Sequence, residues 1–355
     1  MFNRRRWLLA ALVVVAFASG ACVQVGIGAA EERLPARLSD REFWKLVEGF
    51  SEPDGTFRSD NLLSNELQFQ YVIPQLTRTA KSGRAYLGVG PEQNFTYIAA
   101  LRPAIAFIVD VRRGNLDLQL LYKALFDLSP DRAGFVSILF SKPRPPGLNA
   151  GSTASDIFDA YSTMATSERL YTENMAAVRN QLFTNHGFEL SDDDLRGIEY
   201  VYRAFFMFGP GIQYSPFGLT GGTVQPTYAA LMAATDESGR ARGFLSTEET
   251  FAFVKTLESR NLIVPVIGNF AGSKAIRTVG TYLKQRGATV SVFYLSNVEE
   301  YLRRDGIWQD FCANVSQLPL DGTSTFIRSV RSPSGDASDG LRSELGLMSA
   351  IGNCR

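Results

Sequence analysis

Ala85-Tyr86-Leu87-Gly88-Val89-Gly90-Pro91-Glu92-Gln93-Asn94-Phe95 begins apolar, breaks at Gly-x-Gly and passes into a helical pattern. A second apolar run, Ala104-Ile105-Ala106-Phe107-Ile108-Val109, ends in Asp110, twenty residues after Gly90. A strand that turns on glycines into a helix, answered by an acid after the next strand, is an arrangement that holds a nucleoside ligand. Gly88 and Gly90 carry no Cβ, so the backbone can turn sharply and come close to a ligand. Asp110 stands where a carboxylate accepts hydrogen bonds from ribose hydroxyls. Gln93 occupies the place where a dinucleotide site wants a third glycine or an alanine, which favours a nucleoside-type pocket over NAD or FAD. The plain alternative is a strand-to-helix turn in an ordinary α/β domain.

On either side of this unit the patterning fixes the organisation. Ser39-Asp40-Arg41-Glu42 is a capping box ahead of Phe43, Trp44, Leu46, Val47 and Phe50, and Asn65 to Leu76 reads as a second helix disturbed at Pro74. The glycine-turn helix runs from Gln93 to Leu101 and stops before Pro103. From Leu116 to Phe208 the pattern is almost wholly helical, with Phe135 to Phe140 open to a strand reading, and is expected to lie over the ligand-binding edge of the sheet. Phe205, Phe206, Phe208, Tyr214 and Phe217, beside Gly209-Pro210-Gly211 and Gly221-Gly222, either line a pocket or belong to core and loop. The α/β rhythm resumes with a helix after Ser246-Thr247, the strand Leu262 to Ile267 ending in Gly268-Asn269, the helix Lys274 to Gln285, and the strand Thr289 to Leu295 ending at Ser296-Asn297. Ser324 to Val330 is a last strand at the edge.

The fold class that follows is α/β: a Rossmann-like, mostly parallel sheet with a large helical insertion and an N-terminal helical segment. Residues 1–30 read as a signal peptide or membrane anchor, 31–84 as the N-terminal helical segment, and 85–115 with 245–330 as the Rossmann-like core. Residues 116–244 form the mainly helical insertion and 331–355 a C-terminal tail.

Composition is that of a folded chain, with 45% hydrophobic and 20% charged residues. The 36 basic residues balance the 36 acidic ones, so no global field would attract nucleic acid or an anionic membrane surface. Membrane contact is expected only through the N-terminus. There Arg4-Arg5-Arg6 leads into the apolar stretch Trp7 to Ala18, the pattern of a secretory signal, and Arg4-Arg5-Arg6-Trp7-Leu8 also resembles a twin-arginine signal. Ser19-Gly20-Ala21-Cys22 is a degraded lipoprotein box, so cleavage, lipidation at Cys22 and an uncleaved anchor all stay open. Each places the body of the protein outside the cytoplasmic membrane, in the periplasm or on the outer face of a membrane. Cys312 and Cys354 either pair in that compartment or remain one buried and one terminal thiol. His186 is the sole histidine and no Cys/His cluster has metal-ligand spacing, so no metal site is expected. Asp192-Asp193-Asp194 reads as a helix cap.

Tyr86-Leu87-Gly88-Val89-Gly90, then Val109-Asp110-Val111-Arg112, then a strand ending in Asn269, together resemble the class I S-adenosylmethionine-dependent methyltransferase fold, in an uncharacterised bacterial branch with an exported N-terminus. The resemblance covers Ala85 to Val111 and Leu262 to Val330. It implies S-adenosylmethionine as cofactor, with Gly88 and Gly90 passing its methionine end and Asp110 holding its ribose. Glu92 and Asn94 either contact the amino-acid moiety or serve as helix-capping residues, while Asn269 or Tyr294 would orient a substrate nucleophile. The chain departs from the family pattern at Tyr86, where an acid is usual, at Glu92, where a small residue is usual, and at Asn269-Phe270-Ala271-Gly272, which replaces an Asp/Asn-Pro-Pro-aromatic loop. No catalytic residue follows from the sequence. Two expectations result: an exported protein with a methyltransferase-like fold that binds S-adenosylmethionine or a related nucleoside, a small-molecule ligand, with methyl transfer to an unassigned substrate as its activity, or a non-catalytic exported binding or interaction protein that uses the same crevice.

Overall fold

A computed structural model describes residues 33–217, 225–331 and 341–353. The export pattern, Cys22, Gly221-Gly222 and Cys354 lie outside the described residues. The first helix, α1 (Asp40–Phe50), is closed by the expected capping box between Ser39 and Glu42. Residues 51–68 then run without helix or strand into a 3-10 turn at Phe69–Val72 and α2 (Ile73–Thr79). Pro74 sits in the first turn of α2, where its missing N–H loses no helical bond, so it starts this helix instead of disturbing one begun at Asn65.

The glycine turn follows as read: β1 (Ala85–Val89), α3 (Gln93–Leu101) and β2 (Ile105–Asp110). The helical block comprises α4 (Arg113–Leu128), α5 (Arg132–Phe140), α6 (Ala154–Ser162), α7 (Glu168–Asn180), α8 (Asp192–Phe208) and α9 (Tyr228–Ala233). Phe135 to Phe140 is therefore helix, begun by an Asp131 carboxyl that accepts from Gly134 N–H. The alternation then continues through α10 (Glu248–Ser259), β3 (Ile263–Ile267), α11 (Ala275–Gln285), β4 (Val290–Ser296), α12 (Val298–Arg304), α13 (Trp308–Val315) and β5 (Thr325–Arg331). A sixth strand, β6 (Leu341–Leu347), lies in what the sequence reads as a tail.

The strand order is β3-β2-β1-β4-β5-β6, parallel throughout except for the antiparallel β5–β6 pair. Every residue of β2 and β3 is buried, as a parallel strand covered on both faces must be. Pro265 is compatible with β3 because β3 is an edge strand and needs no ladder on its outer side. On one face Phe95 of α3 meets Tyr122 and Phe126 of α4, and Phe126 meets Phe251 of α10. On the other, Phe107 of β2 packs on Phe50 of α1 and Tyr282 of α11. The helices between β2 and β3 stack on α4, with α8 as its main neighbour, and Phe205 and Phe206 are buried there. That block therefore thickens one face, and the carboxyl edge of the sheet is crossed by residues 51–66.

Candidate functional site

The order of the strands reverses between β1 and β4, and the crevice beyond their carboxyl ends is where open α/β sheets bind ligands. The structure brings Gly88, Gly90, Glu92 and Asn94 into one turn at the end of β1. It sets Asp110 at the end of β2 and Asn269 just beyond β3, with Gly268 N–H donating to the Asp110 carbonyl at 2.8 Å.

Each of these residues has an internal partner. The Asn94 amide fills the hollow of the glycine turn: it donates to the carbonyls of Val89 (2.9 Å), Gly90 (3.3 Å) and Pro91 (2.7 Å) and accepts from Tyr86 O–H at 2.8 Å. A Cβ at Gly88 would lie 1.8 Å from the Asn94 oxygen, so Gly88 is required by this side chain. Gly90 has φ +75°, in the left-handed region that glycine enters without strain. Asp110 accepts from its neighbour Arg112 through Nε at 3.1 Å, Nη2 at 3.0 Å and the backbone N–H at 2.9 Å. Asn269 caps its own loop, its side-chain oxygen accepting from Ala271 N–H at 2.9 Å. Gln93, placed where a pyrophosphate would pass, donates to Tyr97 O–H and to Glu66, both at 3.0 Å.

Residues 51–66 supply the remaining contacts. The Glu52 carboxyl accepts from the backbone N–H groups of Asn269 (3.0 Å), Lys274 (2.9 Å) and Ala275 (2.9 Å) at the start of α11. Asp54 accepts from Arg113 N–H at 2.6 Å at the start of α4. Ser64 N–H donates to Glu92 at 3.2 and 3.3 Å. Glu66, fully buried, accepts from Tyr294 O–H at 2.8 Å and Ser296 O–H at 2.5 Å at the end of β4, and from Ser343 O–H of β6 at 3.4 Å. Ser296 holds φ +50°, an uncommon conformation for a residue with a side chain, and its hydroxyl meets Glu66 from there. Sequence reading missed Glu52 and Glu66, and the one local signal was a polar run, Ser64-Asn65-Glu66, beside Leu62-Leu63 in a stretch without periodicity.

Burial pushes the Glu92 carboxyl up to about 8, against the Ser64 N–H that favours its charged form and with the nearby Glu66 adding to the rise. Burial likewise raises Asp117 on α4 to about 8, helped by Asp194. Both acids bind protons more tightly folded than unfolded, so the stability they contribute is complete below about pH 4 and is lost as pH rises to about 8. The urea midpoint is therefore expected to fall between about pH 5 and about pH 9, and Glu92→Gln to flatten that fall. An unchanged slope in the variant would contradict the buried neutral acid.

The sole histidine is structural. His186 bridges Asp40 of α1 at 2.6 Å and Asp127 of α4 at 2.8 Å. At Asp127 burial acts upward, but the His186 hydrogen bond and the Lys123 charge outweigh it and hold the carboxyl below its ordinary range. Asp194 closes a capping box with Ser191 and pairs with Arg113 at 2.5 Å. No group of three or more metal-ligating side chains occurs among the described residues. Cys312 is disulfide-bonded to a partner outside the described residues. An open depression of about 420 Å³ between α7 and α8, lined by Tyr171, Arg196, Glu199, Tyr200, Arg203 and Phe217, shares no residue with the glycine turn. No helix among the described residues is long and apolar enough to cross a membrane.

Topology and the glycine turn together define a Rossmann-like α/β protein whose strand order reverses at β1/β4. The chain belongs to the family described as a domain of unknown function (DUF7790), which matches residues 62–144 and 149–344. No curated protein matches it.

Proposed function

We propose that this is an exported, non-catalytic binding protein on a methyltransferase-like Rossmann frame, taking a nucleoside-type small molecule, S-adenosylmethionine first among them, in the switch-point crevice. Support for the ligand class comes from the spacing alone: a glycine turn at the end of β1 and Asp110 at the end of the neighbouring strand. The Arg4-Arg5-Arg6 pattern supports export. Binding without transfer rests on a single observation: both side chains suited to orient a nucleophile are committed elsewhere. Tyr294 donates to the buried Glu66, and Asn269 caps its own loop.

Methyl transfer is the second reading, favoured by the same glycine turn. It needs little beyond alignment and desolvation, since the sulfonium methyl passes to a nucleophile and S-adenosylhomocysteine leaves. Calorimetric titration with S-adenosylmethionine and S-adenosylhomocysteine tests the ligand class. Wild type is expected to give heat, and Asp110→Ala to bind at least about tenfold more weakly, in keeping with the loss of a charge-assisted hydrogen bond. Silence in wild type and in Glu52→Ala alike, or equal binding by Asp110→Ala, would remove the nucleoside reading. Conversion of S-adenosylmethionine to S-adenosylhomocysteine in the cell would favour transfer.

A further inference from the structure

Resting on that ligand reading, we infer that residues 51–66 are a displaceable strap that holds the crevice closed and that ligand must push aside. The strap visits the strand ends in turn. Glu52 N–H donates to the last carbonyl of β3, Ile267, at 2.8 Å, and Gly55 N–H donates to Val111, just past β2, at 2.8 Å. Arg112, which holds Asp110, also donates to the carbonyl of Asp60. Ser64 reaches the glycine-turn helix through Glu92 and Gln93, and Glu66 reaches the ends of β4 and β6.

Its acidic groups take the donors that a small polar ligand would use. Glu52 lies in three backbone N–H groups that suit a ligand carboxylate, and Glu66 collects two hydroxyls and an amide at the switch point. The strap is therefore an internal stand-in for a molecule carrying a carboxylate and several hydrogen-bonding groups, a description that fits an amino-acid nucleoside.

Three features suit the strap to open without unfolding the domain. It has no regular structure, Pro53, Asp54, Thr56 and Arg58 are exposed, and its fully buried apolar anchors are Leu62 and Leu63. Segments held by few apolar contacts open at lower free energy than the core. Ser296, at φ +50°, holds a residue with a side chain in the left-handed region at the Glu66 contact itself. A closed strap also reduces apparent affinity by the fraction of molecules in which it is open.

The test locks and releases the strap in the full chain. A Cβ placed on Gly55 lies 3.4 Å from the Val111 Cβ and 2.9 Å from the Val111 carbonyl oxygen, so Gly55→Cys with Val111→Cys can tie the strap down once the strap backbone moves slightly away from that oxygen. Calorimetry with S-adenosylmethionine should show heat lost in the oxidised double variant and restored by reductant, with wild type under the same reductant controlling for the bond at Cys312. Glu52→Ala should bind about tenfold tighter than wild type. Hydrogen exchange reads the strap without any ligand: the amides of Gly55 and Ser64 should exchange well before those of Ile108 and Val109 in β2, and sooner still in Glu52→Ala. Equal affinity in the locked and reduced forms overturns the gate. So do strap amides as slow as those of β2. Absence of heat in every form, with strap amides that still open early, would overturn the choice of ligand and leave the strap standing.

Discussion

Arg132→Met is expected to lower the unfolding free energy by about 2–4 kcal/mol, since it removes a buried guanidinium's hydrogen bonds to several backbone carbonyls as well as its bond to the partly exposed Glu248. Arg132 opens α5 and its side chain is fully buried. Its guanidinium donates to Glu248 at 2.8 Å and to four backbone carbonyls: Leu245 at 2.9 Å, Ser246 at 3.0 Å, Ala150 at 3.1 Å and Ser152 at 2.9 Å. One side chain thus fastens the loop before α6 to the turn that begins α10, and so joins the helical block to the sheet. Methionine keeps most of the apolar stem, but it leaves the buried Leu245 carbonyl without a donor, and the part-buried carbonyls of Ser246, Ala150 and Ser152 must turn to water. Urea denaturation followed by circular dichroism checks this. A lower midpoint at unchanged slope is expected, and a loss under about 1 kcal/mol would show that water replaces the guanidinium.

The sheet was legible where burial on both faces makes strands nearly continuous in Ile, Val, Phe and Ala. Ala104 to Val109 and Leu262 to Ile267 read as strands for that reason, and the structure has β2 and β3 there. The antiparallel β6 escaped because Arg342 and Glu344 alternate with Leu341 and Ser343 on an edge with partial burial, a pattern close to that of a polar tail. The positions of Gly88, Gly90 and Asp110 were legible from spacing. Their surroundings were not, although Arg112 stood two residues from Asp110 in plain view. The strap was illegible for a physical reason: its order comes from partners far along the chain. Glu66 meets Gln93 across 27 residues and Tyr294 across 228, separations that no local pattern encodes. Burial of Glu92 was equally hidden, since a carboxyl at the start of a helix is ordinarily solvated.

Glu66→Ala is expected to cost about 3–4 kcal/mol, comparable to the loss of Arg132, because one carboxyl gathers donors from separate parts of the fold. Tyr294 and Ser296 of β4, Gln93 of α3 and Ser343 of β6 all point at it. Truncation leaves those groups facing a cavity instead of an acceptor. Tyr97, which already hydrogen-bonds both Gln93 and the Phe69 carbonyl, can take up only part of the loss. Glu66→Gln should cost less, about 1–2 kcal/mol, since its amide oxygen still receives two hydroxyls while its NH2 faces the donating amide of Gln93. A measurable cost for Gln, read from urea midpoints at neutral pH, separates a hydrogen-bond hub from a packing position, where Gln, with the same volume as Glu, would be neutral and only Ala would destabilise. Both variants should also hasten amide exchange at Ser64, because Glu66 is the strap's innermost tie. If Gln is neutral, Ala alone destabilises and Ser64 stays protected, the carboxyl acts through volume alone and the closed crevice owes its order to Leu62 and Leu63.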